Sequence, residues 1–379
     1  MGADSNHIAT DVIILGAGIN GCGIATELAQ SGLNVVVLEK HTIGSGTSSK
    51  SSRLIHGGLR YLEQFEFGLV REALLDRQEL LRRYPQLVKL KPFYLPIYKS
   101  SPRPAWMIWC GLKLYDLLTG RQSQSKSRIV NRSLFSDIAP QLKQDDLTAV
   151  FQYYDAKTDD LLLTQTVAED AQSYGAVIHQ FTIANSITHS DDLYTVSTNR
   201  GSFFAPILIN ASGPWIDEVN REFDLQARYR IRKISGIHVI FKGLLTQDLM
   251  FMQTAEKRIF FIIPEPENNQ TIIGTTEREE TVDIDAVRVS PDDVDYLLNQ
   301  LNIYLKNEHR VTADDIKSFY IGVRPLIAYK EKPTDLSREY ILDHHQFGNA
   351  HLVHVFGGKL TTYLSLARKV KRLLEKKVL

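Results

Sequence analysis

The run Asp11-Val-Ile-Ile-Leu-Gly16-Ala-Gly18-Ile-Asn-Gly21, continued through Ser31 to a break at Gly32 and then Val35-Val-Val-Leu38 before Glu39, decides the fold of this sequence. Asp11 to Leu15 reads as a short, fully buried strand, Ile19 to Ser31 has helical spacing, and Val35 to Leu38 reads as a second buried strand. Strand, glycine turn, helix and strand in that order make one parallel unit with a right-handed crossover, so a doubly wound sheet begins at the N-terminus. Gly16, Gly18 and Gly21 form G-x-G-x-x-G at the turn. These glycines permit a tight turn and bring a pyrophosphate close to the helix N-terminus, while a carboxylate at Glu39 accepts ribose hydroxyls. The same carboxylate disfavours a 2′-phosphate, which argues against NADP.

Composition sets the frame around that unit. The 379 residues exceed one ordinary domain, with 43% hydrophobic and 23% charged residues, as in compact globular proteins. Forty-four basic side chains balance forty-four acidic ones, so no global field draws the chain to nucleic acid and any anion site must be local. Cys22 and Cys110 are the only cysteines, too few for a disulfide framework or a thiolate metal site, and a reducing compartment is expected. No signal-peptide pattern precedes Asp11, and the apolar stretch Pro104 to Leu118 is interrupted by Lys113 and Asp116. It is shorter than the ~20 residues a spanning helix needs. The expected location is cytoplasmic.

Further along, Arg71 to Arg83 and Asp159 to Tyr174 read as helices, the first stopped by Pro85 and the second by Gly175. Ala176 to Phe181 and Pro206 to Asn210 read as strands that resume the first sheet. The short β-branched and aromatic runs Ile237 to Phe241, Ile259 to Ile263 and Thr271 to Ile273 suggest a second, antiparallel sheet. Ser290 and Pro291 open a helix, and Leu360 to Lys377 forms the last one. The glycine motif alone does not separate NAD from FAD. Two further features do so together: the Ser/Gly-rich run Gly44 to Ser52, offering hydroxyls and amides, and Gly357-Gly358 before the last helix, offering a second dipole. They point to a long, non-dissociating FAD.

The run Ser48-Ser-Lys-Ser-Ser-Arg-Leu-Ile-His-Gly-Gly-Leu-Arg-Tyr-Leu-Glu63 resembles the signature loop of the FAD-dependent glycerol-3-phosphate dehydrogenases, the aerobic, quinone-linked type. Further matches follow in order: Arg103-Pro-Ala-Trp-Met, Asn210-Ala-Ser-Gly-Pro-Trp, Gly274-Thr-Thr, Gly322-Val-Arg-Pro-Leu, Ser337-Arg-Glu-Tyr and Val355-Phe-Gly-Gly-Lys-Leu-Thr-Thr-Tyr. The resemblance covers essentially the whole chain. It implies an α/β fold: a glutathione-reductase-type, doubly wound FAD-binding sheet joined to a D-amino-acid-oxidase-like antiparallel β substrate domain. Residues 8–90, 150–220 and 338–379 are expected in the first, and 91–149 and 221–337 in the second. Family members of the usual length continue past the Lys359 motif into a helical C-terminal domain, whereas this sequence ends one helix later, leaving the oligomer open. Where the family pattern is Lys-Gly-Ser-His, this chain reads Ser235-Gly236-Ile237-His238.

The resemblance also implies a reaction: oxidation of sn-glycerol 3-phosphate to dihydroxyacetone phosphate by hydride transfer from C2 to flavin N5, with electrons passed to a membrane quinone. FAD contacts are expected at Gly16, Gly18, Ile19, Asn20, Gly21, Glu39, Lys40, Thr47, Ser48, Ser49, Leu54, His56, Gly57, Gly58, Ser212, Gly213, Trp215, Gly358, Lys359, Leu360 and Thr361. Gly57 and Gly58 would bring backbone close to the isoalloxazine. By resemblance, Arg60 and Tyr61 sit near the flavin, and Arg324, Arg338, Lys359 and His238 surround the substrate. Arg60, His238, Arg324 and Lys359 are the candidate catalytic residues, and no metal is expected. Arginine suits a phosphate because its planar fork makes two parallel charge-assisted bonds, whereas an exposed arginine in an ion pair contributes only ~0 to 1 kcal/mol. His238 is the candidate general base, with a structural core histidine as the equal alternative and Lys359 as the competing base. Trp106 to Leu118, followed by Arg121, Lys126 and Arg128, has the composition of an interfacial helix, and a helix packed on the substrate half explains it equally well. Peripheral contact with the inner membrane face follows from the first reading. An oxidase using dioxygen, an amine or hydroxy-acid enzyme of the same fold, and a catalytically silent flavin binder stay open.

Overall fold

The computed structural model describes residues 7–120, 126–190, 192–328 and 340–377. Arg121 and Arg338 lie outside them. A six-stranded sheet, discontinuous in the chain, forms one half of the molecule in the order Tyr340–Phe347, Ala350–Gly357, Ile207–Asn210, Val12–Leu15, Val35–Leu38 and Val177–His179. All its pairings are parallel except that of the hairpin Tyr340–Phe347 with Ala350–Gly357.

The two-residue period of its strands explains how it is buried on both faces. Val12, Ile14, Val35, Val37, Ile207 and Ile209 pack against the helices Ile19–Ala29, Asp160–Ser173 and Tyr363–Lys377. Ile13, Leu15, Val36, Leu38 and Leu208 pack on the other face against Ile187, Tyr194, Val196 and Phe203 of a four-stranded sheet. Every residue of Val12–Leu15 and Val35–Leu38 is buried, as continuous apolar runs require.

The second half is a ten-stranded sheet whose main path runs Arg278–Glu280, Ile231–Lys242, Gln270–Gly274, Ile259–Glu265, Leu249–Gln253, Lys89–Tyr98, Leu147–Lys157 and Leu54–Ile55. Ile316–Ile327 pairs with Ile231–Lys242, and Arg128–Ile129 with Leu147–Lys157. Its pairings are antiparallel except that Leu249–Gln253 runs parallel to Lys89–Tyr98. The strand Leu147–Lys157 belongs to this sheet by its hydrogen bonds, although the expected division put residues 150–220 with the dinucleotide half. Leu54–Ile55 joins it too, so the loop after the glycine turn crosses from one sheet to the other. The seam between the two sheets is therefore where the candidate site lies.

The helix expected over Trp106 to Leu118 spans Ala105–Thr119. It buries Ile108, Leu112, Tyr115 and Thr119, a three- and four-residue spacing that makes one packed face. Trp106 and Leu117 on its other side are 70% and 74% exposed. Among the described residues no helix is long and apolar enough to cross a membrane.

Candidate active site

The glycine turn is held by its own backbone. Gly16 donates to the Leu38 carbonyl at 2.8 Å with φ +99°, in the left-handed region, and a Cβ there would sit 2.9 Å from the Ala211 carbonyl oxygen. Glu39 accepts from the amides of Ala17 at 2.7 Å and His41 at 2.8 Å, which fixes its carboxylate at the end of its strand. The first turn of Ile19–Ala29 carries no acidic residue, and the Ile19 amide donates to the Ser48 hydroxyl at 2.9 Å. A helix N-terminus without an acid keeps its positive end available to an anion.

The C-terminal glycine pair meets this turn from the opposite end of the chain. Asn20 Nδ2 donates to the Gly357 carbonyl at 3.3 Å, while Asn20 Oδ1 is buried without a partner among the described residues. Gly358 has φ +97°, and a Cβ on it would lie 2.5 Å from Asn20 Nδ2. Thr361 accepts from the His56 amide at 3.3 Å, and Thr47 donates to the Val323 carbonyl at 2.6 Å. Lys40 and Trp215 both reach Asp285, at 3.3 and 3.1 Å.

These segments enclose a cavity of about 540 Å³. Gly16, Gly18, Ile19, Asn20, Glu39, Lys40, Thr47, Ser48, Leu54, His56, Ser212, Gly213, Trp215, Gly358, Lys359, Leu360 and Thr361 line it. So do Tyr61, His238 and Arg324. Gly21, Ser49, Gly57, Gly58 and Arg60 are not on its wall. Gly57 faces a helix instead: a Cβ there would lie 2.6 Å from the Tyr115 hydroxyl, and one on Gly58 would enter the Tyr61 ring at 2.2 Å. Packing, rather than approach to a ring system, is what the structure asks of these two glycines.

At the second sheet's end of the cavity, His238 is 3% exposed. Its Nε2 is 2.7 Å from the Ser52 hydroxyl, and its ring stacks on Tyr320 at 4.7 Å and 13°. Its Nδ1 is buried without a hydrogen-bond partner among the described residues. Burial, then the charges of Arg324 and Arg53, push the imidazole down to about 3, so it is neutral at ordinary pH. Arg324 donates to the Thr276 carbonyl at 2.6 Å and pairs with Glu277 at 3.3 Å. A Cβ on Gly236 would lie 2.2 Å from Arg324 Nη2, so the neighbouring strand gives way to that guanidinium. Lys359 Nζ lies 4.3 Å from the centre of the Tyr61 ring, within cation–π range.

Ser52, Gly236, Thr275 and Glu277 went unnoticed as site residues in the sequence. Ser52 at least lies inside the signature loop. The others depend on strand register, which places His238 opposite Gly274 and Tyr320, and Gly236 opposite Gly322. Cys22 is buried and gives its thiol to the Ala17 carbonyl at 3.4 Å. Burial pushes that thiol up, away from thiolate chemistry.

A nucleotide cradle at one end of a single cavity and half-buried cations with a neutral imidazole at the other define a dinucleotide-dependent oxidoreductase of two-sheet architecture. The chain belongs to the FAD dependent oxidoreductase family, whose model matches residues 11–367. It is 41% identical over 366 residues to glycerol-3-phosphate dehydrogenase of Pseudomonas tolaasii, covering 94% of this chain and 70% of that protein. It is 35% identical over 368 residues to D-erythritol 1-phosphate dehydrogenase of Brucella abortus, covering 95% and 72%. Its fold superposes with a TM-score of 0.75 on the structure of Bacillus halodurans glycerol-3-phosphate dehydrogenase complexed with FAD, at 23% identity. That superposition covers 97% of this chain and 65% of the other.

The donor set fits FAD. The acid-free helix N-terminus suits a pyrophosphate, Glu39 suits ribose hydroxyls, and the orphaned Asn20 Oδ1 and the Gly16 and Gly358 cradles suit close approach of a ligand to backbone.

Proposed function

We propose that the chain oxidises sn-glycerol 3-phosphate to dihydroxyacetone phosphate. One observation carries this reading: the cavity that holds the dinucleotide cradle also contains His238, Arg324 and Lys359. FAD, held by the Gly16 to Gly21 turn, Glu39, the Thr47–Ser48 loop and the Gly358 to Thr361 turn, supplies the acceptor for the hydride that leaves C2. Arg324 and Lys359 hold the phosphate; the resemblance adds Arg60, which lies off the cavity wall, and Arg338, which lies outside the described residues, as candidate further cations. Their role is to fix the alcohol carbon in register before it reacts.

His238 receives the hydroxyl proton. Its neutrality leaves it in the accepting state; burial is the larger cause of its low basicity, and a bound phosphate dianion offsets the smaller part due to the Arg324 charge. Ser52 holds Nε2 in place, its hydroxyl being able to donate to that nitrogen or accept from it. Ser49 is proposed as a further contact through its place in the Ser48 loop, whereas Gly57 and Gly58 act through their packing on Tyr115 and Tyr61.

The experiment is anaerobic addition of glycerol 3-phosphate to the yellow enzyme. Bleaching of the flavin is expected, and a flavin that stays oxidised points to a silent flavin binder. D-Erythritol 1-phosphate belongs in the same series, because a relative named for it is 35% identical; faster bleaching with it would move the substrate to a longer polyol phosphate. The electron acceptor proposed is a membrane quinone, reached by peripheral contact of the exposed Trp106 and Leu117 face with the inner leaflet. Turnover with a quinone analogue and little peroxide under air is expected. Stoichiometric peroxide would make the enzyme an oxidase.

A further inference from the structure

A buried relay joins the surface helix Ala105–Thr119 to the cavity loop. The Gly57 amide donates to the Tyr115 hydroxyl at 2.7 Å, and Tyr115 donates to Asp155 Oδ1 at 2.7 Å. Arg77 donates to that same carboxylate oxygen and to the Tyr154 carbonyl at 2.7 Å. The side chains of Arg77 and Asp155 are 4% and 2% exposed, and Tyr115 is 2% exposed. The relay thus ties Phe67–Arg83, Ala105–Thr119 and Leu147–Lys157 to one backbone amide of the signature loop.

From that amide the chain runs directly to the site. The Tyr61 amide donates to the Gly58 carbonyl at 2.8 Å. The Tyr61 ring fills the space a Gly58 side chain would take, and Lys359 Nζ sits over the ring at 4.3 Å. We propose that Tyr115 and Asp155 are positioning residues that, through Gly57 and Tyr61, set where the Lys359 ammonium meets the substrate phosphate. This deepens the proposed function and rests on Lys359 being part of its anion site.

The chemistry of the relay suits fixed positioning. Burial pushes the Tyr115 phenol up, so it keeps the proton it gives to Asp155 and leaves its lone pairs to Gly57. Arg77 balances the carboxylate charge. Removing one member of a buried ion pair is strongly destabilising, so Asp155 is a poor first target. Tyr115→Phe keeps the ring and its packing and deletes only the hydroxyl.

The test compares holoenzyme carrying Tyr115→Phe with the parent, using inorganic phosphate as a competitive probe. Loss of one hydrogen bond in the relay is expected to raise the phosphate inhibition constant and the KM for glycerol 3-phosphate by about fivefold to tenfold, leaving kcat within about twofold. In a Lys359→Ala background the same substitution is expected to add nothing, because the route ends at Lys359. Leu112→Ala, at a buried position of the same helix, serves as the control: it lowers the melting temperature and leaves the phosphate constant alone. Equal losses with and without Lys359, or no loss at all, overturn the relay. An arm independent of substrate is hydrogen exchange in the peptide spanning residues 54–64. Faster exchange is expected in Tyr115→Phe and not in Leu112→Ala; unchanged exchange overturns the relay even in an enzyme that glycerol 3-phosphate reduces normally.

Discussion

A histidine with one ring nitrogen on Ser52 and the other on no hydrogen-bond partner among the described residues has its charge decided by its surroundings. For His238 the folded value falls from 6.5 to about 3, through burial first and then the neighbouring arginines. Between those pH values the unfolded chain binds a proton that the folded chain refuses, so stability rises with pH across this window and falls on acidification. At pH 5 the loss from this group alone is about 2 kcal/mol. His238→Gln is expected to remove that slope, read as the difference in unfolding free energy between variant and parent at pH 7 and pH 5. The difference matters because Asp76, raised to about 6 by burial, acts in the opposite direction in both proteins. An unchanged slope would mean that the imidazole finds a proton partner in the folded state. Arg324 poses the complementary case, a charge held against Glu277 and Thr276 beside the cavity. Arg324→Ala is expected to cost about 2 to 5 kcal/mol in kcat/KM for glycerol 3-phosphate, as when a buried charge loses its partner. A near-parental ratio would take Arg324 out of the phosphate site.

At the scale of elements, the meeting of two turns 337 residues apart in the chain governs cofactor retention, because Gly358 presses on Asn20 beside the Gly16 turn. Gly358→Val places a branched side chain at φ +97°, where L residues are strained, and against Asn20. The expected outcome is a folded protein, by circular dichroism, that purifies with little flavin; a fully yellow variant would show that this junction does not limit binding. The sequence announced much of this. The strand Val35–Leu38 came out with the expected bounds, and Ile19–Ala29 ended two residues before the expected Ser31, because continuous apolar runs and glycine breaks act locally. The second sheet was harder. Ile231–Lys242 extends well beyond the expected Ile237 to Phe241, since its added residues mix charged, polar and apolar side chains and gain strand geometry by pairing with Ile316–Ile327, Arg278–Glu280 and Gln270–Gly274. The Tyr115 relay left little trace in the sequence, because its hydrogen-bonded partners are 40 to 78 positions apart and, Gly57 of the signature loop aside, none belongs to a motif.

At the scale of the whole molecule, four separate stretches of the cavity wall are decisive: the N-terminal glycine turn, the Gly44 to Ser52 loop, the Gly357 to Thr361 turn and the strands bearing His238 and Arg324. The first and third belong to the parallel sheet, the last to the ten-stranded sheet, and Leu54–Ile55 carries the second across to it. A ligand that fills such a seam binds only when both halves are folded and apposed, so its binding free energy adds to the stability of both together. With FAD at about a thousandfold excess over its dissociation constant, the gain is about 4 kcal/mol. Removing FAD is therefore expected to lower the melting temperature and to speed hydrogen exchange in all four stretches at once, measured on the apoprotein and again after reconstitution. Exchange that rises only around Gly16 to Gly21 would mean that the cofactor is held by the nucleotide cradle alone, and the proposal that His238 and Arg324 face the same bound flavin would fail.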